Sequence, residues 1–265
     1  MPLKLTFLGT NGWYPTATGN TVCALIETPD RYIVLDAGDG IHRLDQHATD
    51  QKKPVDLFLS HFHLDHLWGL HIQPKFSFQN EMRIFGQPGT KEILAKFVGP
   101  PLTAPFSVLK TKISVHELKE GKNTIEPPDG VKGQPYSVRA LPLVHADPCW
   151  GFRFELADMG GTKKIISYCT DTGPCDNLVA LADNADVLIT ESGLLPGEPI
   201  SPSWPHLNPE TAAKMANEAG CRKLILTHFA AHKYGTHEKR FEAQKCARAI
   251  FENTFAAIDG MEIGI

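Results

Sequence analysis

The stretch from Val55 to His66, Val-Asp-Leu-Phe-Leu-Ser-His-Phe-His-Leu-Asp-His, constrains this chain more than any other. A short apolar run ends at Ser60, and four side chains able to bind a metal, His61, His63, Asp65 and His66, follow within six residues. An extended backbone sends alternate side chains to opposite sides, so His61 and His63 face one way and Phe62 and Leu64 the other. A turn at Asp65–His66 then brings a carboxylate and a third imidazole toward the same cavity. Imidazole and carboxylate donors suit zinc, manganese or iron, and the lack of neighbouring thiolates argues against a purely structural zinc knuckle. The bland alternative is a polar loop whose histidines happen to cluster, and the dense spacing behind a strand argues against it. Six residues cannot complete two metal sites, so further ligands must come from distant parts of the chain.

They recur at one kind of place. Tyr136–Val144 reads as a strand ending at His145, and Lys164–Tyr168 as one leading into Asp171. Ala185–Thr190 ends at Glu191, Lys223–Thr227 at His228, and Tyr32–Asp36 at an Asp-Ala-Gly-Asp-Gly turn. Polar residues at the carboxyl ends of strands, on loops above a sheet, are where α/β folds place chemistry. Asp36 can orient a ligand without itself touching metal, or cap the turn that follows it. The remaining pattern predicts strands over 3–8 and 21–27 and helices over 67–74 and 90–97. Residues 99–133 read as short strands with loops. A helix over Pro209–Ala219 has Asn208 as N-cap, Pro209 in the first turn and Gly220 past its end. A last, amphipathic helix covers His237–Phe251.

With 265 residues and no repeat or clear linker, the chain reads as a single domain, 1–265, long enough for a proper core. A formal charge of −4 argues against a broad nucleic-acid-binding surface. Six cysteines without a Cys-x-x-Cys pair read as reduced thiols of a cytoplasmic protein. The first residues lack the basic start and long apolar segment of a secretory signal, and no run reaches the length of a membrane span.

With these residues in place, the chain resembles the metallo-β-lactamase superfamily, whose HxHxDH signature is matched by His61, His63, Asp65 and His66 and whose later ligands are matched in order by His145, Asp171 and His228. The resemblance implies an α/β fold, a four-layer αβ/βα sandwich of two mixed β-sheets flanked by helices, with metals at one edge. It implies two divalent metal ions, zinc or manganese, with iron also accommodated. One would be held by His61, His63 and His145, the other by Asp65, His66 and His228, with Asp171 bridging. A hydroxide between the ions would be the nucleophile, and Asp65 would orient it or take its proton. His63 is not the Glu of the flavodiiron relatives, which argues against an electron-transfer di-iron centre.

Within the superfamily, Leu5–Thr10, Leu35–Gly40, His206–Ala213 and Leu224–Phe229 resemble the ribonuclease Z-like branch. There a histidine before the helix faces the scissile phosphate, and an acidic position matched by Glu191 supports it. His206 is then a general acid or a clamp on a phosphoryl oxygen, as against a surface histidine beside a helix cap. In ribonuclease Z a tRNA-gripping arm lies between the positions of His145 and Asp171. Here 25 residues separate them, room for two short strands and a Gly160–Gly161 turn. The resemblance therefore implies a small-molecule phosphate ester as substrate rather than tRNA, no membrane partner, and, as in some relatives, a homodimer.

The expected function is a dinuclear metal-dependent phosphodiesterase acting on small or cyclic phosphodiesters. A lactonase or other carboxylic-ester hydrolase could use the same ligands, though His206 would then have no clear task. A metal-binding sensor without turnover is a third class. His232 and His237 could contact substrate or be solvated, and His71, one helix turn beyond the cluster, could pack or take part in the site. Trp13, Tyr14 and Trp68 could wall a pocket or enter the core, and Cys169, two residues from Asp171, could support the ligands or, as expected, simply pack in the interior.

Overall fold

The computed structural model describes residues 3–265. Two seven-stranded sheets account for most of the chain. The first holds β1 (Lys4–Gly9), β3 (Cys23–Glu27), β4 (Tyr32–Leu35), β5 (Val55–Phe58), β6 (Met82–Gly86), β7 (Ile113–Glu117) and β16 (Glu262–Gly264). The second holds β8 (Gly121–Ile125), β9 (Tyr136–Pro142), β10 (Trp150–Ala157), β11 (Lys163–Cys169), β12 (Val187–Glu191), β13 (Leu224–Thr227) and β15 (Thr254–Ala256). A two-residue pair, β2 (Asn11–Gly12) with β14 (Phe229–Ala230), forms a third, minimal sheet.

Both sheets are mixed. In the first, β4, β5, β6 and β7 run parallel while β1, β3 and β16 pair antiparallel. In the second, β11, β12, β13 and β15 run parallel and β8, β9 and β10 pair antiparallel. Parallel neighbours need crossovers, which helices supply here. The crossovers carry α1 (Leu44–His47), α2 (Leu64–Leu67) and α3 (Thr90–Phe97) on the first sheet, and α4 (Asp176–Ala182), α5 (Pro209–Glu218) and α6 (His237–Arg248) on the second.

Three apolar clusters define the layers. One lies between the sheets, with Phe7, Leu35 and Phe58 from the first meeting Val138, Phe152 and Ile189 from the second. Another packs α4, α5 and α6 on the second sheet through Leu181, Ala212, Ala216 and Ala243. The third packs the helical turns after β4, β5 and β6 on the first sheet through Ile41, Leu44, Leu67 and Leu94. The result is the expected αβ/βα sandwich. Strands covered on both faces show no alternation, which is why β4, β5, β12 and β13 are buried along their whole length.

Several boundaries differ from expectation. The helix expected over 67–74 begins earlier, as α2, and continues as 3₁₀ turns over Trp68–Lys75. Gly69 lies so close to the chain at Gly38 that a Cβ there would stand 2.3 Å from the Gly38 carbonyl oxygen, and Pro74 cannot donate into a regular helix. Strand β9 stops at Pro142 and α6 at Arg248, each short of the expected span. Helix α4 was not anticipated from the sequence. Asn208 does cap α5, accepting from the Thr211 N–H at 2.8 Å, and Gly220 follows at φ 62°. Residues 146–170 form the expected pair of strands, β10 and β11, antiparallel through a turn in which Asp158 accepts from Gly160 and Thr162.

Candidate active site

Strand direction brings the site together. Strands β4 and β5 are parallel, as are β11, β12 and β13, and β9 points the same way as β11 because each is antiparallel to β10. Asp36, His61, His145, Asp171, Glu191 and His228 therefore all lie at strand carboxyl ends on one edge of the sandwich. The short β2–β14 pair ties the chain leaving His228 to the loop that carries Trp13.

Two groups of side chains converge there. His61, His63, His145 and Asp171 each bring one ligand atom to within 4.8 Å of the others, and Asp65, His66 and His228 do the same. The Asp171 carboxylate lies between them. Its Oδ2 is 3.7 Å from His61 Nε2, while its Oδ1 is 3.4 Å from His66 Nε2 and 3.2 Å from His228 Nε2. Asp65 Oδ2 is 3.2 Å from His228 Nε2. The side chains present fit a pair of divalent cations. His61 Nε2 and His145 Nε2 are buried without any hydrogen-bond partner, an arrangement that costs free energy unless something fills it. The donors are imidazole nitrogens and carboxylate oxygens, the set that zinc and manganese accept.

The surrounding charges favour this use. Burial, reinforced by the charge of His66, holds the His61 pKa well below the ordinary histidine value, so it is the neutral, ligating form. Burial likewise lowers that of His145. Burial opposes charge on Asp171, but His228, His66 and His61 outweigh it and hold its pKa well below the usual carboxylate range. Asp65 is lowered in the same way, chiefly by His66.

Asp36 sits beneath the cluster, fully buried. Its Oδ2 is 2.8 Å from His66 Nδ1 and accepts from Ser60 Oγ at 2.8 Å and from Tyr168 Oη at 2.7 Å, while Oδ1 accepts from the Ser60 N–H at 2.7 Å. The carboxylate fixes Nδ1 of His66 and leaves Nε2 facing the cluster. Backbone strain gathers at the same place. Among the described residues five non-glycines have positive φ, and four of them are Trp13 (77°), Asp36 (58°), Asp171 (51°) and His228 (48°). Such conformations cost of order 1–3 kcal/mol each and collect at functional sites.

His206 stands over the cluster. Its Nδ1 lies 2.9 and 3.0 Å from the two oxygens of buried Glu191, which also accepts from the Thr172 and Gly193 N–H groups. Burial works against a charged imidazole, but the Glu191 carboxylate wins and raises the His206 pKa to about 9. Above these residues opens a cavity of about 410 Å³, lined in part by His63, Asp65, Asp171, His206 and His228, and also by Trp13, Trp204 and His232.

Of the other sequence candidates, Trp13 and His232 line the cavity and the rest have other surroundings. His237 Nε2 lies 3.1 Å from the Thr18 carbonyl oxygen, and His71 Nδ1 is 2.6 Å from that of Trp68. Cys169 is buried in the helix-facing core. Trp13, Tyr14 and Trp68 are not core residues but 67%, 39% and 51% exposed. Sequence reading missed Asp147, whose Oδ2 is 2.8 Å from His63 Nε2. It also missed Trp204, whose ring is nearly parallel to that of His63 at 6.1 Å. The only available signal was their closeness in sequence to His145 and His206.

Residues 31–229 match the family model described as a beta-lactamase superfamily domain. This chain belongs to the metallo-β-lactamase superfamily. It is 26% identical to Ribonuclease Z of Bacillus velezensis, covering 99% of each chain, and 28% identical to Ribonuclease Z of Methanosarcina acetivorans, covering 99% of this chain and 98% of the other. Among solved structures, the metallo-beta-lactamase fold protein YhfI from Bacillus subtilis superposes with a TM-score of 0.75 at 22% identity, covering 99% of this chain and all of that one. A diphosphatase from the PhnP family gives 0.72 at 16%, covering 100% and 98%. These superpositions show the shared fold. No helix among the described residues is long and apolar enough to cross a membrane.

Proposed function

We propose that this chain is a phosphodiesterase that cleaves small or cyclic phosphodiesters, using two divalent ions held by His61, His63 and His145 and by Asp65, His66 and His228, with Asp171 between them. Bound there, such ions would supply a nucleophile at neutral pH and neutralise phosphoryl oxygens. The chain's own residues do the rest. Asp36 and Asp65 hold the ligand geometry, the latter also accepting from the Trp13 N–H at 2.7 Å. His206, protonated through Glu191, faces the cavity where an ester oxygen leaves, and can donate to it or hold a phosphoryl oxygen.

The observation that carries this reading is the His206–Glu191 pair above two ligand groups. A cationic donor beside a cluster built for cations is useful only if an anion comes between them. A lactone is neutral and brings no anion for that donor to bind before the reaction begins, whereas a phosphodiester does. The small-substrate reading is supported by the compact β10–β11 hairpin between His145 and Asp171. The alignment with the Bacillus relative runs over 318 positions against 265 residues here, so that relative carries insertions this chain lacks.

The test is hydrolysis of bis(p-nitrophenyl) phosphate by metal-stripped protein with zinc or manganese restored. Metal-dependent turnover, abolished in Asp65→Ala, is expected. Protein that binds two equivalents of metal yet leaves this diester and cyclic nucleotides intact, while opening lactones, would overturn the reading.

A further inference from the structure

Two tryptophans at the cavity are placed where no packing argument requires them. Trp13 is 67% exposed and Trp204 53% exposed, yet both line the cavity that contains Asp65, His63 and His206. Large aromatic rings left in water at a concave site are recognition surfaces more often than ornaments of the fold.

Both are held rather than loose. Trp204 lies in a tight turn bridged by Ser201 and Trp204 themselves. The next residue, Pro205, is buried against Gly173, where an added Cβ would stand 2.8 Å from the proline ring, and the residue after that is His206, fixed by Glu191. The Trp204 ring stands near His63, His145 and His206, at centroid distances of 6.1, 5.9 and 5.9 Å. Trp13 is fixed from the other side. Its N–H is bonded to Asp65, the β2–β14 pair precedes it, and its ring meets His232 edge-on at 5.4 Å. A bulky residue at φ 77° is a backbone outlier, and its ring, edge-on to Tyr14 at 5.3 Å, still leaves most of the residue exposed.

We infer that Trp13 and Trp204 form a stacking subsite for a flat ring on one arm of the ester, so that the substrate is a nucleoside phosphodiester rather than a diester of glycerol or another aliphatic alcohol. This rests on the phosphodiesterase reading and narrows it. Every nucleobase offers a π-face to an indole, and stacking of this kind tolerates any base. The cavity, at about 410 Å³, lies in the range of ordinary small-ligand sites. His232, beside the Trp13 ring at the rim, adds a polar edge where a ribose or base can bond.

The test compares binding of adenosine 5′-monophosphate and ribose 5-phosphate to the metal-loaded protein by calorimetry. These ligands share the phosphate and the sugar and differ by the base. The nucleotide should bind about tenfold or more tightly, as one stacked base contributes. Trp204→Leu should lose most of that preference, and Trp204→Phe, which keeps a π-face, should retain much of it. Trp13→Gly, which suits a positive φ and keeps the N–H to Asp65, should lose part. Equal affinity for the two ligands in the parent protein, or an unchanged preference in both Trp204→Leu and Trp13→Gly, would overturn the subsite. The phosphodiesterase reading is judged separately, by turnover of bis(p-nitrophenyl) phosphate. A protein that prefers the nucleotide but cleaves no diester keeps the subsite and loses the reaction.

Discussion

Two carboxylates that need not touch a metal do different work in this site, and each can be separated by a conservative change. Asp36 faces His66 Nδ1 from a pocket closed by Ser60 and Tyr168. Asp36→Asn keeps the shape and removes the charge, so metal affinity should fall about 10–100-fold, measured by competition with a chromogenic chelator. Affinity equal to the parent would mean that His66 is oriented by packing alone. Glu191 acts on His206 instead. A histidine raised to about 9 is protonated below that pH and loses its proton as the pH climbs through it. If His206 works as the acid, activity persists up to that region and then declines. Glu191→Gln removes the charge that raises the pKa, so the alkaline limb of kcat should move toward the ordinary histidine value near 6.5. His206→Ala should lower kcat by about 10²–10⁴-fold. An alkaline limb that stays in place in Glu191→Gln would remove His206 from proton transfer and leave it as a clamp.

At the scale of elements, the smallest sheet has an outsized part. Gly12 in β2 lies against His228, and a Cβ there would approach the ring to 2.4 Å. The backbone of β2 and the imidazole thus occupy adjacent space that only glycine permits. Gly12→Ala should push His228 out of register and weaken the ion held with Asp65 and His66 while leaving the helices intact. Metal analysis beside far-ultraviolet circular dichroism would detect it, and full metal content in a folded variant would contradict the packing argument. None of this was visible in the sequence, where Asn11–Gly12 looks like part of a polar loop. What was legible were the strands with long apolar runs and the polar residues at their ends, because burial on both faces and the change to ligand chemistry leave a local mark. Asp36, His61, His145, Asp171, Glu191 and His228 were all found that way. Trp204 and Asp147 were not, since an aromatic or acidic residue in a proline-containing loop carries no local sign of what faces it across the cleft. Helix α4 was missed for a related reason: Leu178, Leu181 and Ala182 are its only buried residues, too few to set a period.

The whole molecule depends on the two sheets keeping their relative position, because each contributes ligands to one site. Apolar packing between them is reinforced by a buried polar junction far from the metal cluster. Asp56 of β5, fully buried, receives two hydrogen bonds from Arg83 of β6, at 2.8 and 2.9 Å, and one from Tyr136 Oη of β9 in the other sheet, at 2.8 Å. Arg31 Nη1 lies 3.6 Å away, itself only 2% exposed. The tyrosine link crosses between the sheets, as does the bond from Arg83 Nη1 to the Glu126 carbonyl oxygen at 2.7 Å. Removing the carboxylate leaves two guanidiniums with less to balance them inside the protein, which costs about 3–5 kcal/mol for a broken buried pair. Asp56→Ala should therefore lower the urea midpoint strongly, whereas Tyr136→Phe, which loses one hydrogen bond and no charge, should cost about 1 kcal/mol. Neither residue lines the cavity, so the activity of the molecules that remain folded should match the parent at low denaturant. If Asp56→Ala unfolds at the parent's midpoint, the junction is neutral in energy and the sheets are held by the packing and hydrogen bonds elsewhere between them. If it stays folded but loses activity, the junction sets the spacing of the sheets at the site, and the two halves of the metal cluster are positioned from the far side of the core.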